Sequence, residues 1–445
     1  MDSIFAQCSA HGRAGVAVFR VSGEKAIMAL EQLIRHDIRK LEARKLYFRK
    51  IYHPITKRQI DESMVVYFNK NSSFTGEESV EIHTHGSLAV IKLLNDAFLS
   101  LPYLRLAEAG EFARRSFLNG KMDLTAAEGL ADLIDAETEL QHSQAIKQLG
   151  GGLAKIYEGW RTELLQLMGL LEAYIDFPDE EIPEESLTRA SNIIQNLIKE
   201  IRNHLDDNNR GERLRNGLKL SILGKPNVGK SSLLNYLMKR DVSIVSDISG
   251  TTRDVIEAHI DIGGYPIILQ DTAGIHESST DVIEQEGIKR ARGVAKESDI
   301  KIIMFDASQA GPEYDYFTDI IDDSTIIVLN KIDLSNKESP ALVEKKTPFQ
   351  ISIKNEEGMK ELLKQIESIA ERIASPSESP QITRMRHRVQ LERAAEYLSV
   401  CDMNNDLVLL TEDIRMTIRS LSNITGKITV DEILGEIFSN FCIGK

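Results

Sequence analysis

The stretch Gly224-Lys-Pro-Asn-Val-Gly-Lys-Ser231, in the middle of this chain, is typical of a nucleotide-binding α/β domain. It matches the pattern G-x-x-x-x-G-K-[ST], whose glycines let backbone N–H groups close around phosphate oxygens at the start of a helix. The apolar run 218–223 precedes it as a strand would, and residues 232–238 have the composition of the helix that should follow. We therefore predict a phosphate-binding loop in which Lys230 contacts the β- and γ-phosphates and Ser231 binds Mg²⁺.

Further motifs follow at the ends of apolar runs, as a nucleotide-binding domain requires. Asp271-Thr-Ala-Gly274 ends one run, so Asp271 is predicted to serve the metal and Gly274 to sense the γ-phosphate. Asn330-Lys-Ile-Asp333 ends another. Its final carboxylate can accept hydrogen bonds from guanine N1–H and the 2-amino group, which adenine does not offer, so the sequence predicts GTP. Residues 352–354 stand where a weaker base-contacting loop is expected.

The group that orients the attacking water is not the one found in Ras-like proteins. Ile275 follows the Asp-Thr-Ala-Gly motif, and its aliphatic side chain cannot hold a water molecule. Asn227 could bind a monovalent cation beside the phosphates and so supply the charge that an arginine finger supplies elsewhere. Alternatively, Asn227 only stabilises the loop. Residues 246–252 could fold over the cation, with carbonyl oxygens on it and the Thr252 hydroxyl on Mg²⁺.

The composition fits a globular protein of two or three domains. The chain has 445 residues, of which 42% are hydrophobic and 27% are charged, so several cores can form. No apolar run has the length of a membrane span and the start lacks a signal-peptide pattern, so we expect a cytoplasmic protein. The cysteines Cys8, Cys401 and Cys442 lie far apart, which disfavours disulfides and structural zinc. Cys442 is either a reactive thiol or an inert one.

The net charge of −14 argues against broad electrostatic capture of nucleic acid. Any RNA contact would have to be local, and one candidate segment contains Arg384, Arg386, His387 and Arg388. The alternative is that this segment is a solvated helix start. His83 and His85 lie on one face of a predicted strand, but no third ligand of suitable spacing supports a metal site there.

Four regions of different pattern indicate the domain organisation. Residues 1–119 mix short β-branched runs with helical stretches and predict an α/β domain. Residues 120–215 have helical periodicity, which returns in 376–445. Between them, residues 216–375 alternate strand and helix patterns, as in a doubly wound parallel sheet. The predicted architecture is thus α/β and α, with a P-loop domain inserted into a helical domain.

Longer motifs carry a resemblance to a known family. The segments 224–232 and Asp247-Ile-Ser-Gly-Thr-Thr-Arg-Asp254 resemble Era-like GTPases that use potassium. The flanks add Ala109-Gly-Glu-Phe-Ala-Arg-Arg115, Asp176-Phe-Pro-Asp-Glu-Glu181 and the terminal Phe441-Cys-Ile-Gly-Lys445. Together these segments look like the MnmE (TrmE) family of tRNA-modification GTPases. The resemblance covers nearly the whole chain.

The resemblance implies a reaction on tRNA. Members of this family form homodimers and act in a heterotetramer with MnmG (GidA), a partner that uses flavin and NADH. Together they place a 5-carboxymethylaminomethyl-type group on the wobble uridine of certain tRNAs. The one-carbon unit comes from a tetrahydrofolate derivative, 5-formyl- or methylene-tetrahydrofolate, held by the N-terminal domain. The matching folate-contacting positions here are Arg20, Glu81, Lys121 and Lys445.

The same resemblance assigns roles around the nucleotide. It places K⁺ at Asn227, Ser246, Ile248 and Thr251, and Mg²⁺ at Ser231 and Thr252. The implied catalytic residues are Lys230, Asp271 and Glu284, with Glu284 orienting the attacking water through a bridging water. The implied GTP contacts are Asn227, Val228, Gly229, Lys230, Ser231, Ser232, Ser246, Asp247, Ile248, Ser249, Gly250, Thr251, Thr252, Asp271, Thr272, Ala273, Gly274, Asn330, Lys331, Asp333, Ser352, Ile353 and Lys354. Ala14, Ser87 and Ser246 depart from the family pattern.

Two other functions compete with a GTP-driven tRNA-modifying enzyme. The first is an Era-like ribosome-assembly GTPase that docks on RNA through its flanks. Such a module should present a basic or aromatic surface, whereas the flanks here are acidic overall. The second is a folate enzyme whose nucleotide domain is only regulatory, which the intact nucleotide motifs disfavour.

Overall fold

The structure is a computed structural model that describes residues 2–36, 42–176, 184–240, 257–270, 293–309, 317, 319–335, 346–401, 406–428, 431–439 and 441–444. The chain divides into two compact units. One comprises Met1–Ala131, Leu149–Thr162 and Ile418–Lys445, and the other comprises Asp132–Gln148 and Glu163–Thr417. The predicted α/β and α fold class is confirmed.

The first unit is built on a six-stranded sheet. Its strands are β1 (Ser3–Gln7), β2 (Ala14–Ser22), β3 (Tyr47–Tyr52), β4 (Gln59–Phe68), β5 (Ser79–Gly86) and β6 (Leu104–Leu106), in the order β3-β4-β5-β2-β1-β6. Helices α1 (Ala26–Ile34), α2 (Leu88–Leu99) and α3 (Glu111–Leu118) belong to the same part of the chain. Phe5, Phe19 and Phe98 lie in the core that α1 and α2 form with one face of this sheet.

Alternation along β5 separates the two faces of this sheet. Val80 and Ile82 are fully buried in the core, whereas Glu81 and His83 point to the other face and are only partly buried. Successive side chains of a strand point to opposite faces, so one face packs and the other stays polar. The polar face therefore collects the charged side chains of neighbouring strands.

Long helices follow the N-terminal sheet and return at the end of the chain. They are α4 (Leu124–Asp135), α5 (Glu139–Leu149), α6 (Gly152–Asp176), α7 (Glu184–Leu205) and α8 (Arg210–Asn216). The predicted periodicity is confirmed in α6, where Leu164, Leu167 and Leu171 are buried, and in α7, where Ile194 and Ile201 are buried. Residues three, four and seven apart share one helix face, so these side chains form a single packed stripe.

The second unit contains the predicted parallel sheet. Its elements are β7 (Leu218–Gly224), α9 (Lys230–Arg240), β8 (Glu257–Ile262), β9 (Tyr265–Gln270), β10 (Ile300–Asp306), β11 (Thr325–Asn330), β12 (Phe349–Gln350) and α10 (Met359–Ala374). The order of the described strands is β12-β11-β10-β7-β9-β8, and among them only the β8–β9 pair is antiparallel. Every residue of β10 and β11 is buried, as expected of strands covered on both faces. The carboxyl ends of β7, β10 and β11 thus share one edge, where ligands bind in such sheets.

The helices after α10 show that the segment 384–388 is not a solvated helix start. They are α11 (Met385–Ser399), α12 (Leu407–Thr425) and α13 (Asp431–Ser439). Arg384 Nη2 donates to Asp132 Oδ1 at 2.6 Å, and Arg388 donates to Asp207 at 2.7 Å and to Glu212 at 3.2 Å. The side chain of His387 is fully buried. Two of the four candidate RNA-contacting residues are therefore committed to ion pairs, and a third is inaccessible.

Within the described ranges, no helix is both long enough and apolar enough to cross a lipid bilayer. None of the cysteines, all of which the structure describes, forms a disulfide. Burial raises the pKa of the Cys401 thiol to about 12, so this thiol is inert as a nucleophile at neutral pH. Cys442 is exposed.

Candidate nucleotide site

The phosphate-binding loop lies between β7 and α9, where the sequence predicts it. Gly224 ends β7 at φ +152°, and a Cβ there would lie 2.5 Å from the carbonyl oxygen of Met304. Gly229 has φ +106°, and its Cβ would lie 2.3 Å from Nδ2 of Asn330. Both positions require glycine because the backbone is left-handed and a neighbouring strand end approaches closely. The loop therefore leads into the N-terminus of α9, where the helix dipole favours anions.

Lys230 occupies the inside of this loop. Its Nζ donates hydrogen bonds of 2.9 Å to the carbonyl oxygens of Gly224 and Lys225. These bonds hold an ammonium group at the helix N-terminus, the position from which it can contact phosphate oxygens. Ser231 and Ser232 follow on the first turn of α9 and are exposed. The residues present thus fit a bound nucleoside triphosphate, with Ser231 accessible to a cation.

Asn330, at the end of β11, joins the phosphate loop to the predicted base-contacting loop. Its side chain is 4% exposed. Its Nδ2 donates to the carbonyl oxygen of Val228 at 2.8 Å, and its Oδ1 accepts from the backbone N–H of Ile353 at 3.4 Å. A single buried amide therefore fixes the spacing between the loop that would hold the phosphates and the loop that would hold the base.

Asp333 lies on the short 3₁₀ turn Ile332–Leu334 and presents an exposed carboxylate. Its Oδ1 accepts a hydrogen bond of 2.7 Å from Oγ of Ser352, which is fully buried. Ser352 is held in turn by backbone hydrogen bonds with Glu357, and its Oγ accepts from the N–H of Asn355 at 3.3 Å. The loop that contains Ile353 and Lys354 therefore orients the carboxylate, and this geometry fits a guanine base.

Asp306 lies at the same edge of the sheet and is not part of any motif identified in the sequence. It ends β10, is 5% exposed, and its Oδ2 accepts from Lys331 Nζ at 2.7 Å. Lys331 Nζ also donates to the carbonyl oxygen of Asn227 at 2.7 Å. Burial opposes the ionisation of Asp306, but hydrogen bonds from Lys331 and Ser308 outweigh it and hold the pKa of this carboxyl below its usual value. Asp306 therefore positions Lys331 against the phosphate loop.

Several predicted contacts lie outside the described residues. They are Ser246, Asp247, Ile248, Ser249, Gly250, Thr251, Thr252, Asp271, Thr272, Ala273, Gly274 and Glu284. Their roles in binding GTP, Mg²⁺ and K⁺ stay predictions. Of the predicted K⁺ ligands, the structure describes Asn227, which is exposed at φ 64°.

The N-terminal sheet brings together two of the predicted folate-contacting residues. Arg20 and Glu81 face each other on β2 and β5, and Arg20 Nε and Nη2 donate to Glu81 Oε1 at 3.0 and 2.9 Å. The guanidinium of Arg20 also lies 5.1 Å from the ring centroid of Phe74 and 5.6 Å from that of Phe112. These aromatic neighbours, one on each of two segments, were not predicted from the sequence. Phe112 is fully buried, so these rings hold the Arg20 guanidinium beside Glu81 through cation–π contacts.

Lys121 lies near the same segment. Its Nζ donates to the carbonyl oxygen of Asn71 at 2.7 Å, and its Cγ lies 3.3 Å from the position of a Cβ on Gly76. Asn71 and Gly76 flank Phe74, so Lys121 and Arg20 contact one stretch of chain. Lys445 lies outside the described residues.

The two strand histidines each have a carboxylate neighbour. His83 Nε2 lies 3.5 Å from Glu81 Oε2, and His85 Nδ1 lies 2.8 Å from Asp61 Oδ1. In the part of the chain that the structure describes, no group of three or more His, Cys, Asp or Glu side chains could hold a metal ion.

Comparison with known proteins identifies the family. A model described as "MnmE helical domain" matches residues 124–442, and one described as "GTP-binding protein TrmE N-terminus" matches residues 3–121. The chain belongs to the MnmE (TrmE) family. Proteins named tRNA modification GTPase MnmE from Rickettsia canadensis and Rickettsia prowazekii are 57% and 55% identical to it, over the full length of both chains in each pair. As an MnmE-family member, the chain is a GTPase that acts in tRNA modification.

Loss of the ion pair between Asp306 and Lys331 is expected to weaken GTP binding. Asp306→Asn should raise the KM for GTP on the order of tenfold, because a hydrogen bond between charged groups contributes about 1.5–3 kcal/mol. The kcat should change less, since the bond of Lys331 to the phosphate loop is the same in the ground state and in the transition state. Steady-state GTP hydrolysis measures both constants.

Asp322→Asn is the matched control for Asp306→Asn. Asp322 pairs with the buried Lys301 at the other end of β10. Both substitutions should lower the thermal midpoint, because each weakens a pair that contains a buried charge. If Asp322→Asn weakened GTP binding as much as Asp306→Asn, a general loss of sheet stability would explain both results and Asp306 would have no positioning role.

We expect Asp333 to determine the base specificity of this MnmE-family GTPase. Asp333→Asn should shift the preference from GTP to XTP, because an amide can accept from N1–H and donate to the 2-carbonyl oxygen of xanthine. The ratio of kcat/KM for the two nucleotides measures the shift, and Glu361→Gln on the first turn of α10 is the control. An unchanged preference for GTP would rule out base recognition by Asp333.

Proposed function

We propose that this MnmE-family chain hydrolyses GTP with Mg²⁺ and K⁺. We further propose that it acts with an MnmG (GidA) flavoprotein to form the 5-carboxymethylaminomethyl-type group on the wobble uridine of certain tRNAs. The observation that carries the proposal is the network around Asn330, Lys331 and Asp333. It joins the phosphate loop to a base loop in a chain that is similar over its full length to tRNA modification GTPases.

Phosphate binding would depend on Lys230 and on the start of α9. Ser231 and Thr252 would hold Mg²⁺, Asp271 would serve the metal, and the bound ion would supply positive charge that offsets the charge developing on the phosphates. The exposed hydroxyl of Ser231 at the first turn of α9 supports its part. Lys230 would exchange its carbonyl partners for phosphate oxygens when the nucleotide binds.

Cation-assisted hydrolysis is the second element. Asn227 would hold K⁺ together with Ser246, Ile248 and Thr251, and the ion would supply positive charge beside the β- and γ-phosphates. The exposed position of Asn227 supports this role, since its carbonyl oxygen is fixed by Lys331 while its side chain stays accessible. Glu284 would orient the attacking water through a second water molecule.

The N-terminal sheet would hold the one-carbon donor, a tetrahydrofolate derivative, and would also mediate homodimerisation. Glu81 can accept hydrogen bonds from pterin N–H groups, and Lys121 and Lys445 can pair with acidic groups of the ligand. Arg20, placed between Phe74 and Phe112, would hold Glu81 in position. In domain terms, 1–119 binds folate, 216–375 binds GTP, and 120–215 with 376–445 forms the helical domain.

The proposed function is tested by reconstitution. The protein is incubated with MnmG, unmodified tRNA, GTP, K⁺, flavin, NADH and methylene-tetrahydrofolate, and the nucleosides are analysed by mass spectrometry. We expect a modified wobble uridine with the intact chain and none with Lys230→Ala. Glu81→Gln should lose the modification but keep GTP hydrolysis. Absence of product with active MnmG and intact GTP hydrolysis would contradict the proposal.

Potassium dependence gives a separate prediction. GTP hydrolysis should be much faster in K⁺ than in Na⁺ at equal ionic strength, and Asn227→Ala should remove the difference, because its amide oxygen is the proposed ligand from the loop. Asn192→Ala, on an exposed position of α7, is the control. Equal rates of the unmutated protein in the two salts would exclude the cation mechanism.

A further inference from the structure

Strand β3, with the segment that leads into it and the turn that leads to β4, is strongly basic in an acidic chain. Residues 42–58 contain six lysines and arginines and one glutamate, whereas the whole chain has a net charge of −14. We call residues 44–58 the basic hairpin, and its cations are Arg44, Lys45, Arg49, Lys50, Lys57 and Arg58. A local concentration of one charge in a chain of opposite charge indicates an anionic partner.

The turn of the basic hairpin is held in a defined shape. The N–H of His53 donates to the carbonyl oxygen of Arg58 at 2.9 Å, and His53 Nδ1 accepts from the N–H groups of Ile55 and Thr56. Arg35 lies 4.1 Å from the ring centroid of Tyr52 and donates to the carbonyl oxygen of Lys57 at 2.8 Å. The exposed side chains of Lys57 and Arg58 are therefore presented from a fixed backbone.

Apolar and aromatic side chains lie among these cations. Phe48 on β3 is 58% exposed, and Leu46 is 50% exposed. Arg49 lies 5.4 Å from the ring centroid of Tyr47, on the other side of the strand from Phe48. RNA-binding surfaces combine these chemistries, because cations contact phosphates while unpaired bases stack on exposed rings.

Protection of a sheet edge does not explain this pattern. β3 is an edge strand, and charged side chains on an edge prevent pairing with another chain. Yet only Arg49 and Lys50 of the six cations lie on β3 itself, and none of the six is next to an acidic residue in sequence. An exposed phenylalanine such as Phe48 also works against protection of the edge, because it favours contact with another chain.

The ion pairs of the basic hairpin are weak enough to be exchanged. Lys45 Nζ lies 3.4 Å from Glu42, and Lys50 Nζ lies 3.5 Å from Glu62, with all four side chains largely exposed. Exposed pairs of this kind contribute about 0–1 kcal/mol and are screened by salt. In contrast, Arg384 and Arg388 are held by partly buried carboxylates, so that segment offers less to a phosphate.

We propose that the basic hairpin is a tRNA-contacting surface of this protein. Lys45, Lys50 and Arg58 contact backbone phosphates, and Phe48 stacks on an unpaired base. This inference rests on the function of the chain in tRNA modification, and it adds the surface through which the chain binds its RNA. RNA is the partner that matches both the single sign of charge and the exposed ring.

The test compares two triple variants of the full-length protein. Lys45→Gln, Lys50→Gln and Arg58→Gln remove three hairpin cations. Lys155→Gln, Lys199→Gln and Lys360→Gln remove three exposed lysines from helices α6, α7 and α10. Binding of an unmodified tRNA transcript is measured by fluorescence anisotropy over a range of salt concentrations. The GTP hydrolysis rate of each variant verifies that the chain is folded.

We expect the hairpin variant to bind tRNA on the order of tenfold more weakly at low salt. Its slope of log affinity against log salt should be smaller by about 2, since each lost phosphate contact removes about 0.7–0.9. The control variant should keep the affinity and slope of the unmutated protein. Phe48→Ser should weaken binding with little change of slope, because stacking releases few counterions.

Three results would overturn the inference. The first is equal affinity and slope for the two triple variants. The second is an unmutated protein whose tRNA binding is absent or independent of salt. The third is a change of oligomeric state, measured by sedimentation, in the hairpin variant alone, which would assign this surface to a second copy of the chain. If the hairpin variant binds tRNA normally while the unmutated protein modifies the wobble uridine, this inference fails but the proposed function stands.

Discussion

The buried side chain of Asn330 is the contact on which the nucleotide site depends. Its amide donates to the phosphate loop through Val228 and accepts from the base loop through Ile353, more than one hundred residues from the first. An apolar side chain at this position would leave two backbone groups without these bonds in a buried environment, which costs about 1–3 kcal/mol for each. The same amide explains Gly229, because a Cβ there would overlap its nitrogen.

Much of this site could be predicted from the sequence because its parts stand at strand ends. Parallel strands bring their carboxyl ends to one edge, so the loop at 224–231 and the motif at 330–333 had to meet once the strands were recognised. Asp306 obeys the same rule, as an acidic residue after the apolar run 300–305. It belongs to no motif, however, and its partner Lys331 is visible only in the hydrogen bonds of the structure.

The accessibility of charged side chains was harder to predict from the sequence than the fold. The segment 384–388 resembles an accessible basic patch in the sequence, but Asp132 and Asp207, which neutralise two of its arginines, are distant in the chain. The basic hairpin shows the opposite case, because the net charge of −14 conceals six cations within residues 44–58. Likewise, Phe74 and Phe112 flank Arg20 only because β2 pairs with β5 and other segments close over that face.

Position, rather than the type of interaction, decides what an ion pair does in this fold. β10 has a lysine–aspartate pair at each end, Lys301 with Asp322 and Lys331 with Asp306. The chemistry of the two pairs is the same, and each contains one residue with little exposure. Only the second pair lies at the edge where the strands end in ligand-binding loops, and only its lysine also bonds to the carbonyl oxygen of Asn227. The first pair therefore only links neighbouring parts of the sheet, whereas the second connects the sheet to the phosphate loop.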